Sequence, residues 1–139
     1  MIIYVKGNLL DAPQNLIAHQ VNCQGVMGSG VAKAIRDKYP NVYTAFVGIK
    51  PVMGMVQIVE VAGDKEVCNI FAQRDYLPRG MRHTSYDALT KGFEFIKSVH
   101  KGDIALPKIG CGLGGGDWKV VSAIIESVFN DRDVYVYDL

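Results

Sequence analysis

The sequence predicts a three-layer α/β/α sandwich with a central mixed sheet, formed by residues 1–139 as a single domain. Two observations predict this class. Short β-branched segments alternate with segments whose apolar residues recur at helical spacing, which is typical of a sheet covered by helices on both faces. Two strand-like segments also meet directly at Gly63-Asp64, where a turn would pair them as antiparallel neighbours and make the sheet mixed.

The predicted order of elements is β-β-α-β-β-α-β-α-β. Six short apolar segments are predicted as strands because they are β-branched or aromatic and are bounded by turn residues. In chain order they are IIYVKG, LIAHQVNC, MGMVQIVEVA, EVCNIFAQ, DIALPKIG and VYVYDL.

Three helices are predicted between these strands. The first begins at Gly30, and Pro40 is expected to end it. The second follows Ser85 as its N-cap and extends through Lys97, and the third follows Asp117 as its N-cap in the segment DWKVVSAIIESVF. Asp117 is also a candidate acid or base, but the cap accounts for it fully.

Composition and charge exclude several function classes. The 15 Lys and Arg residues balance 14 Asp and Glu residues at a net charge of +1, so no overall field attracts nucleic acid. No apolar run approaches the roughly 20 residues that cross a bilayer, and the start, MIIYVKGN, lacks the features of a secretory signal. Three isolated cysteines and three scattered histidines predict neither a disulfide framework nor a metal site. We therefore expect a cytoplasmic protein.

The first glycine-rich loop, Gly25 to Gly30, follows a strand and leads directly into a helix. Glycines in such a loop let backbone N–H groups point into one concavity, and the helix N-terminus adds partial positive charge, which favours an anion such as phosphate. The spacing matches neither the Walker A loop nor the dinucleotide-binding fingerprint. The alternative is that these glycines only allow a strand-to-helix turn to pack.

The second loop, Gly110 to Gly116, contains five glycines in seven residues and also joins a strand to a helix. Each glycine costs conformational entropy on folding, so this density is hard to explain as a simple connection. Both loops are expected at the carboxyl ends of the strands, where α/β sheets bind ligands. Together they predict a site for a pyrophosphate, and hence for a nucleoside diphosphate.

Three segments resemble the macro domain family: VKGNLL, AHQVNCQGVMGSGVAKAI and PKIGCGLGGGDW. The resemblance covers nearly the whole chain and is greatest to the branch that contains the ADP-ribose 1″-phosphate phosphatases and the terminal ADP-ribose protein glycohydrolases. It implies the sandwich fold and a ligand that is ADP-ribose or ADP-ribose 1″-phosphate. It implies no cofactor and no metal.

The resemblance also assigns roles to individual positions. It places Asn8, Leu9 and Leu139 near adenine and Asn22 beside the distal ribose. The first diphosphate loop would be formed by Gly28, Ser29, Gly30 and Val31, and the second by Ile109, Gly110, Cys111, Gly112 and Leu113.

Departures from the family pattern bear on the reaction. Glycohydrolase relatives use a Lys where this chain has Ala72 and Gln73, and an Asp where it has Gly114. The chain retains His19, which matches a histidine of the phosphatases and suits nucleophilic attack or proton transfer. The predicted function is therefore removal of the terminal phosphate from ADP-ribose 1″-phosphate, with His19 as catalytic residue; the alternatives are a non-catalytic ADP-ribose reader, or a hydrolase that removes ADP-ribose from protein or nucleic acid. The alternative for His19 itself is a structural histidine that hydrogen-bonds a loop carbonyl.

Other groups near the predicted site are weaker candidates. Cys111 lies among backbone N–H groups that are expected to lower its pKa, which would favour a thiol nucleophile. The basic segment 74–83 is a solvated loop or a lid that touches phosphate. We expect a monomer that binds no membrane and meets nucleic acid only as an ADP-ribosylated substrate.

Overall fold

The computed structural model describes residues 1–139 and contains one six-stranded sheet. The strands are β1 (Ile2–Lys6), β2 (Leu16–Asn22), β3 (Val56–Glu60), β4 (Glu66–Gln73), β5 (Ile104–Leu106) and β6 (Val134–Asp138). Their order across the sheet is β1-β6-β5-β2-β4-β3, and all neighbours are parallel except β3 and β4. The prediction of a mixed sheet is confirmed, with the antiparallel pair where Gly63 suggested it.

Four α-helices and one short 3-10 turn connect the strands. The helices are α1 (Gly30–Lys38), α2 (Pro40–Val47), α3 (Tyr86–Val99) and α4 (Trp118–Val128), and the turn is Leu9–Asp11. The prediction missed α2, because Pro40 begins a second helix instead of only ending the first. Proline is tolerated in the first turn of a helix, where its missing N–H would have no partner.

The helices cover the sheet on both faces, which confirms the three-layer sandwich. The cluster on one face joins α1 and α2 to the sheet through Ile35, Val42, Phe46, Val67 and Phe71. On the other face α3 and α4 pack through residues that include Leu89, Phe93, Ile96, Val121 and Ile125. None of the helices combines the length and the apolar character that crossing a membrane requires.

Parallel pairing brings the two glycine-rich loops to the same edge of the sheet. The strand β2 lies between β5 and β4, and the first loop follows β2 while the second follows β5. Because parallel strands present their carboxyl ends at one edge, both loops border the same space.

Candidate functional site

A cleft of about 860 Å³ opens at this edge of the sheet. Its walls are the turn after β1, the loops after β2 and β5, and the end of β6. The structure brings together here His19 and every residue that the resemblance assigns to ligand binding: Asn8, Leu9, His19, Asn22, Gly28, Ser29, Gly30, Val31, Ile109, Gly110, Cys111, Gly112, Leu113 and Leu139. Their roles toward a ligand remain predictions.

Asn22 shapes the first loop with its side chain. Its Oδ1 accepts hydrogen bonds from the backbone N–H groups of Gln24, at 3.0 Å, and Val26, at 3.3 Å. Its Nδ2 donates to the carbonyl oxygen of Val26 at 2.9 Å, and the residue is 7% exposed. Asn22 therefore organises the first loop, independently of any contact with a ribose.

The first loop leaves a row of backbone donors free at the start of α1. Ser29 is the N-cap residue, but its hydroxyl makes no capping bond, whereas Ser85 and Asp117 cap α3 and α4 with their side chains. The N–H groups from Gly28 to Ala32 donate to no protein atom, and all five residues line the cleft. An uncapped helix start of this kind favours an anion.

The second loop turns its carbonyl groups inward toward Thr84, which follows the segment 74–83. Thr84 Oγ1 lies 2.7 Å from the carbonyl oxygen of Gly110 and 3.2 Å from that of Gly114. The Gly114 oxygen also accepts from the backbone N–H groups of His83, at 2.8 Å, and Thr84, at 3.1 Å. The N–H groups of Gly112, Leu113 and Gly114 are left without a protein acceptor.

Gln20 completes this contact from the sheet. Its Nε2 donates to Thr84 Oγ1 at 2.9 Å and to Gln73 Oε1 at 2.7 Å, while its Oε1 is buried without a partner. Gln20 and Gln73 both line the cleft, and sequence reasoning did not single them out as contacts. The available signal was a pair of amides near the ends of strands that are otherwise apolar.

His19 lies on β2, opposite Asn69 of β4 in the sheet register. The side chain is 1% exposed, and Nε2 lies 2.6 Å from Asn69 Oδ1, while Nδ1 is buried without a partner. Burial lowers the pKa of His19 to about 4, and the bond to Asn69 opposes this only in part. The imidazole is therefore neutral near pH 7 and has little capacity to donate a proton to a leaving group.

The expectation that the pKa of the Cys111 thiol is lowered is wrong. Burial raises the pKa of the Cys111 thiol, with a further contribution from Asp117, and the opposing effect of Lys108 is smaller. The thiol also lies 3.4 Å from the carbonyl oxygen of Ile109, an acceptor that favours the protonated form. A thiolate nucleophile is not favoured here.

Asp117 acts as the N-cap of α4, as predicted. Its Oδ1 accepts from the backbone N–H of Lys119 at 2.9 Å, which satisfies one of the free donors in the first turn. Asp117 is not among the residues that line the cleft.

Segment 74–83 is largely exposed, as a solvated loop would be, yet it also reaches the cleft. Tyr76 and Arg79 lie in the cleft wall, and the backbone N–H of His83 donates to the second glycine loop.

Near the predicted adenine end, Asn8 Oδ1 accepts from the backbone N–H of Leu10 at 3.0 Å, and Lys108 lies 3.8 Å from Asp138.

Comparison with known proteins identifies relatives along the whole chain, although no protein-family model matches it. The "DNA ADP-ribosyl glycohydrolase" of Mycobacterium tuberculosis is 30% identical over 149 residues, which cover 99% of this chain but 42% of the relative. The human "ADP-ribose glycohydrolase OARD1" is 31% identical over 140 residues, which cover 97% of this chain and 88% of the relative. An "ADP-ribose 1″-phosphate phosphatase" of Scheffersomyces stipitis is 41% identical over 54 residues, or 34% of this chain and 31% of that protein.

A solved structure agrees with these relatives. The macrodomain of Mycobacterium tuberculosis DarG superposes with a TM-score of 0.86 at 27% identity, over 100% of this chain and 98% of that one. This chain therefore belongs to the macrodomain family.

Proposed function

We propose that this chain binds ADP-ribose in the cleft and hydrolyses the phosphate ester of ADP-ribose 1″-phosphate. The observation that carries the binding is the presence of two separate rows of free backbone N–H groups in one cleft, from Gly28 to Ala32 and from Gly112 to Gly114. A pyrophosphate carries two phosphates, one for each row, and backbone donors recognise phosphate at helix starts and in glycine loops.

The remaining groups suit the two ends of ADP-ribose. At one end Leu9 and Leu139 offer apolar contacts to adenine, and the Asn8 side chain supplies a polar partner for its edge. At the other end lie Asn22 and His19, which we assign to the distal ribose. The names of the M. tuberculosis and human relatives, which refer to ADP-ribose chemistry, support the same ligand.

His19 has the protonation state that nucleophilic catalysis needs. Because its pKa is about 4, the ring is neutral near pH 7, and Nδ1 has no hydrogen-bond partner in the protein. In the proposed reaction Nδ1 attacks phosphorus, a nitrogen–phosphorus bond forms, and the bond from phosphorus to the ribose oxygen breaks. Water then hydrolyses the phosphohistidine, and solvent supplies the proton to the leaving oxygen. Arg79, in the cleft wall, provides positive charge for the phosphate.

Removal of ADP-ribose from protein or nucleic acid is the second candidate. The observation that favours it is that the M. tuberculosis and human relatives, which match 99% and 97% of this chain, are named glycohydrolases, whereas the S. stipitis phosphatase matches 34%. Asp138 is the only carboxylic side chain in the cleft wall, at the predicted adenine end, and Gln73 and Gly114 replace the Lys and Asp that the resemblance implies. Such a reaction would depend on water activated within the pocket.

The ligand is tested first by calorimetry with ADP-ribose, with AMP and ribose 5-phosphate as controls. We expect micromolar binding that requires the whole pyrophosphate unit, and the absence of heat at high concentration would overturn the proposed ligand.

The reaction is then tested by phosphate release from ADP-ribose 1″-phosphate and by loss of label from ADP-ribosylated DNA and protein. We expect His19→Ala to abolish phosphate release while ADP-ribose still binds. Unchanged turnover in this variant would exclude His19 as nucleophile. Label removal without phosphate release would favour the second candidate, and binding without either reaction would make the chain a reader.

A further inference from the structure

His19 is the first member of a line of hydrogen-bonded polar side chains that crosses the sheet away from the cleft. His19 Nε2 lies 2.6 Å from Asn69 Oδ1, and Asn69 Nδ2 donates to Gln57 Oε1 at 3.1 Å. Gln57 Nε2 in turn donates to the carbonyl oxygen of Ala45, near the end of α2, at 2.7 Å. Asn69 is 0% exposed and His19 is 1% exposed. We call these three side chains and the Ala45 carbonyl the amide relay.

The direction of the amide relay is fixed at the end far from the cleft. A backbone carbonyl can only accept, so Gln57 must turn its amide nitrogen toward Ala45 and its oxygen toward Asn69. Asn69 must then donate to Gln57, which leaves its own oxygen facing His19. An amide oxygen also only accepts, and therefore the proton of a neutral His19 ring lies on Nε2.

The same logic defines the other ring nitrogen. With the proton on Nε2, Nδ1 is a bare acceptor, and it is buried with no partner in the protein. His19 lines the cleft and no protein donor reaches Nδ1, so we infer that a donor for Nδ1 comes from the cleft. A buried acceptor without a donor is unfavourable, and a ligand hydroxyl that supplies one is recognised selectively.

We propose that Asn69 and Gln57 are positioning residues that hold His19 as the Nε2–H tautomer, so that Nδ1 is available to the hydroxyl-bearing distal ribose. The identity of that sugar rests on the proposed function. Neither positioning residue lines the cleft. The relay would make the site discriminate ADP-ribose from ADP, because ADP carries the adenosine and the pyrophosphate but has no distal ribose.

The chain offers a matched pair of variants. Gln57→Met breaks the amide relay by removing the bond from β3 to α2. Asn41→Met removes a bond of the same type between the same two elements, since Asn41 Nδ2 donates to the carbonyl oxygen of Glu60 at 3.0 Å, but lies outside the relay. Gln57→Glu is the conservative variant, because a carboxylate oxygen still accepts from Asn69.

The tautomer is read by ¹⁵N NMR of histidine-labelled full-length protein without ligand. We expect the Nε2–H form alone in the wild type, Asn41→Met and Gln57→Glu. In Gln57→Met the Asn69 amide is free to turn, and a mixture with the Nδ1–H form is expected. A wild-type ring that is Nδ1–H or mixed, or a Gln57→Met ring that stays wholly Nε2–H, overturns the proposal.

Affinity is measured by calorimetry on the same samples with ADP-ribose and ADP. In Gln57→Met the dissociation constant for ADP-ribose should rise by the inverse of the remaining Nε2–H fraction, about twofold if half remains, while that for ADP stays unchanged. A changed tautomer with unchanged ADP-ribose affinity overturns the role toward ligand. Failure of the wild type to bind ADP-ribose at all overturns the proposed function instead, and the NMR experiment separates the two results.

Discussion

The two glycine-rich loops of the cleft both expose backbone N–H groups, but they are held in different ways. The first loop is open: added Cβ atoms at Gly25 and Gly30 would have nothing within 4 Å, and the loop is shaped from within by Asn22. The second loop is packed against Thr84, where a Cβ on Gly114 would lie 2.4 Å from Oγ1. Glycine thus serves backbone conformation in both loops, since Gly25, Gly30, Gly110 and Gly115 have a positive φ, but close packing requires it in the second loop.

The difference extends to the polar groups beneath the loops. Below the second loop, Gln20, Gln73 and Thr84 form a hydrogen-bonded cluster of neutral side chains, which we call the neutral cluster. None of its groups titrates in the physiological range. On the α1 and α2 face of the sheet, the amide relay includes a titratable group, His19. The two sides of the cleft should therefore respond differently to acid and to substitution.

The largest expected effect is acid destabilisation through His19. Burial lowers the pKa of this group from 6.5 to about 4 in the folded protein, so the unfolded chain takes up a proton first as the pH falls. The contribution of neutral His19 to stability is complete above pH 6.5 and is lost by about pH 4. The loss is about 3 kcal/mol, measured as the free energy of unfolding in urea across this range.

Two variants separate this effect from general acid denaturation. His19→Gln should flatten the pH dependence of the free energy of unfolding between pH 6.5 and 4. Thr84→Val should keep the wild-type pH dependence, because the neutral cluster does not titrate. An unchanged slope in His19→Gln would contradict the buried neutral state of this ring.

The next largest effect is expected from Gly114→Ala in the packed loop. The new Cβ would lie 2.4 Å from Thr84 Oγ1, and 2.9 Å from both Gln20 Nε2 and the Gly110 carbonyl oxygen. We expect a loss of about 1–3 kcal/mol in the free energy of unfolding, together with weaker ADP-ribose binding, because the loop must shift.

Gly112→Ala is the control within the same loop. A Cβ at Gly112 would have nothing within 4 Å, and its backbone does not adopt a positive φ. Its stability should change by no more than about 0.5 kcal/mol. Equal losses at both positions would mean that glycine is needed in this loop for flexibility and not for close packing.

The strands and glycine loops of this cleft are easier to predict from the sequence than the side-chain hydrogen bonds beneath them. Strands and glycine loops have local signatures, and the predicted residues do line one cleft. The bond between His19 and Asn69 spans 50 positions, and that between Gln20 and Thr84 spans 64. Such pairs depend on strand register and on the path of a long loop, which local spacing does not determine. Helix α2 was missed for a different reason, since proline both ends helices and begins them.

A third prediction tests how the second loop is oriented. Thr84→Val keeps the shape of the side chain but removes the hydroxyl that bonds Gly110 and accepts from Gln20. Because buried polar groups then lose their partner, we expect a loss of about 1–2 kcal/mol in stability and a several-fold weaker affinity for ADP-ribose. Thr84→Ser retains the hydroxyl and should retain most of the affinity. Equal affinity losses in both variants would show that the methyl group of Thr84, and not the hydrogen bonds of its hydroxyl, orients the loop.

The smallest expected effect, and the one that isolates the first loop, compares two serines at helix N-caps. Ser85 accepts from the backbone N–H of Ala88 at 3.1 Å, so Ser85→Ala should cost about 1 kcal/mol of unfolding free energy. The hydroxyl of Ser29 caps nothing, and Ser29→Ala should change stability by less than about 0.5 kcal/mol.

Binding should show the reverse order. Ser29 lines the cleft and Ser85 does not, so only Ser29→Ala should weaken ADP-ribose binding, by a few-fold at most. The measurements are urea unfolding and calorimetry on both variants. If Ser29→Ala instead cost as much stability as Ser85→Ala and left affinity intact, the start of α1 would be capped in solution. The free donors of the first loop would then be satisfied by the protein itself and would not be available to a phosphate.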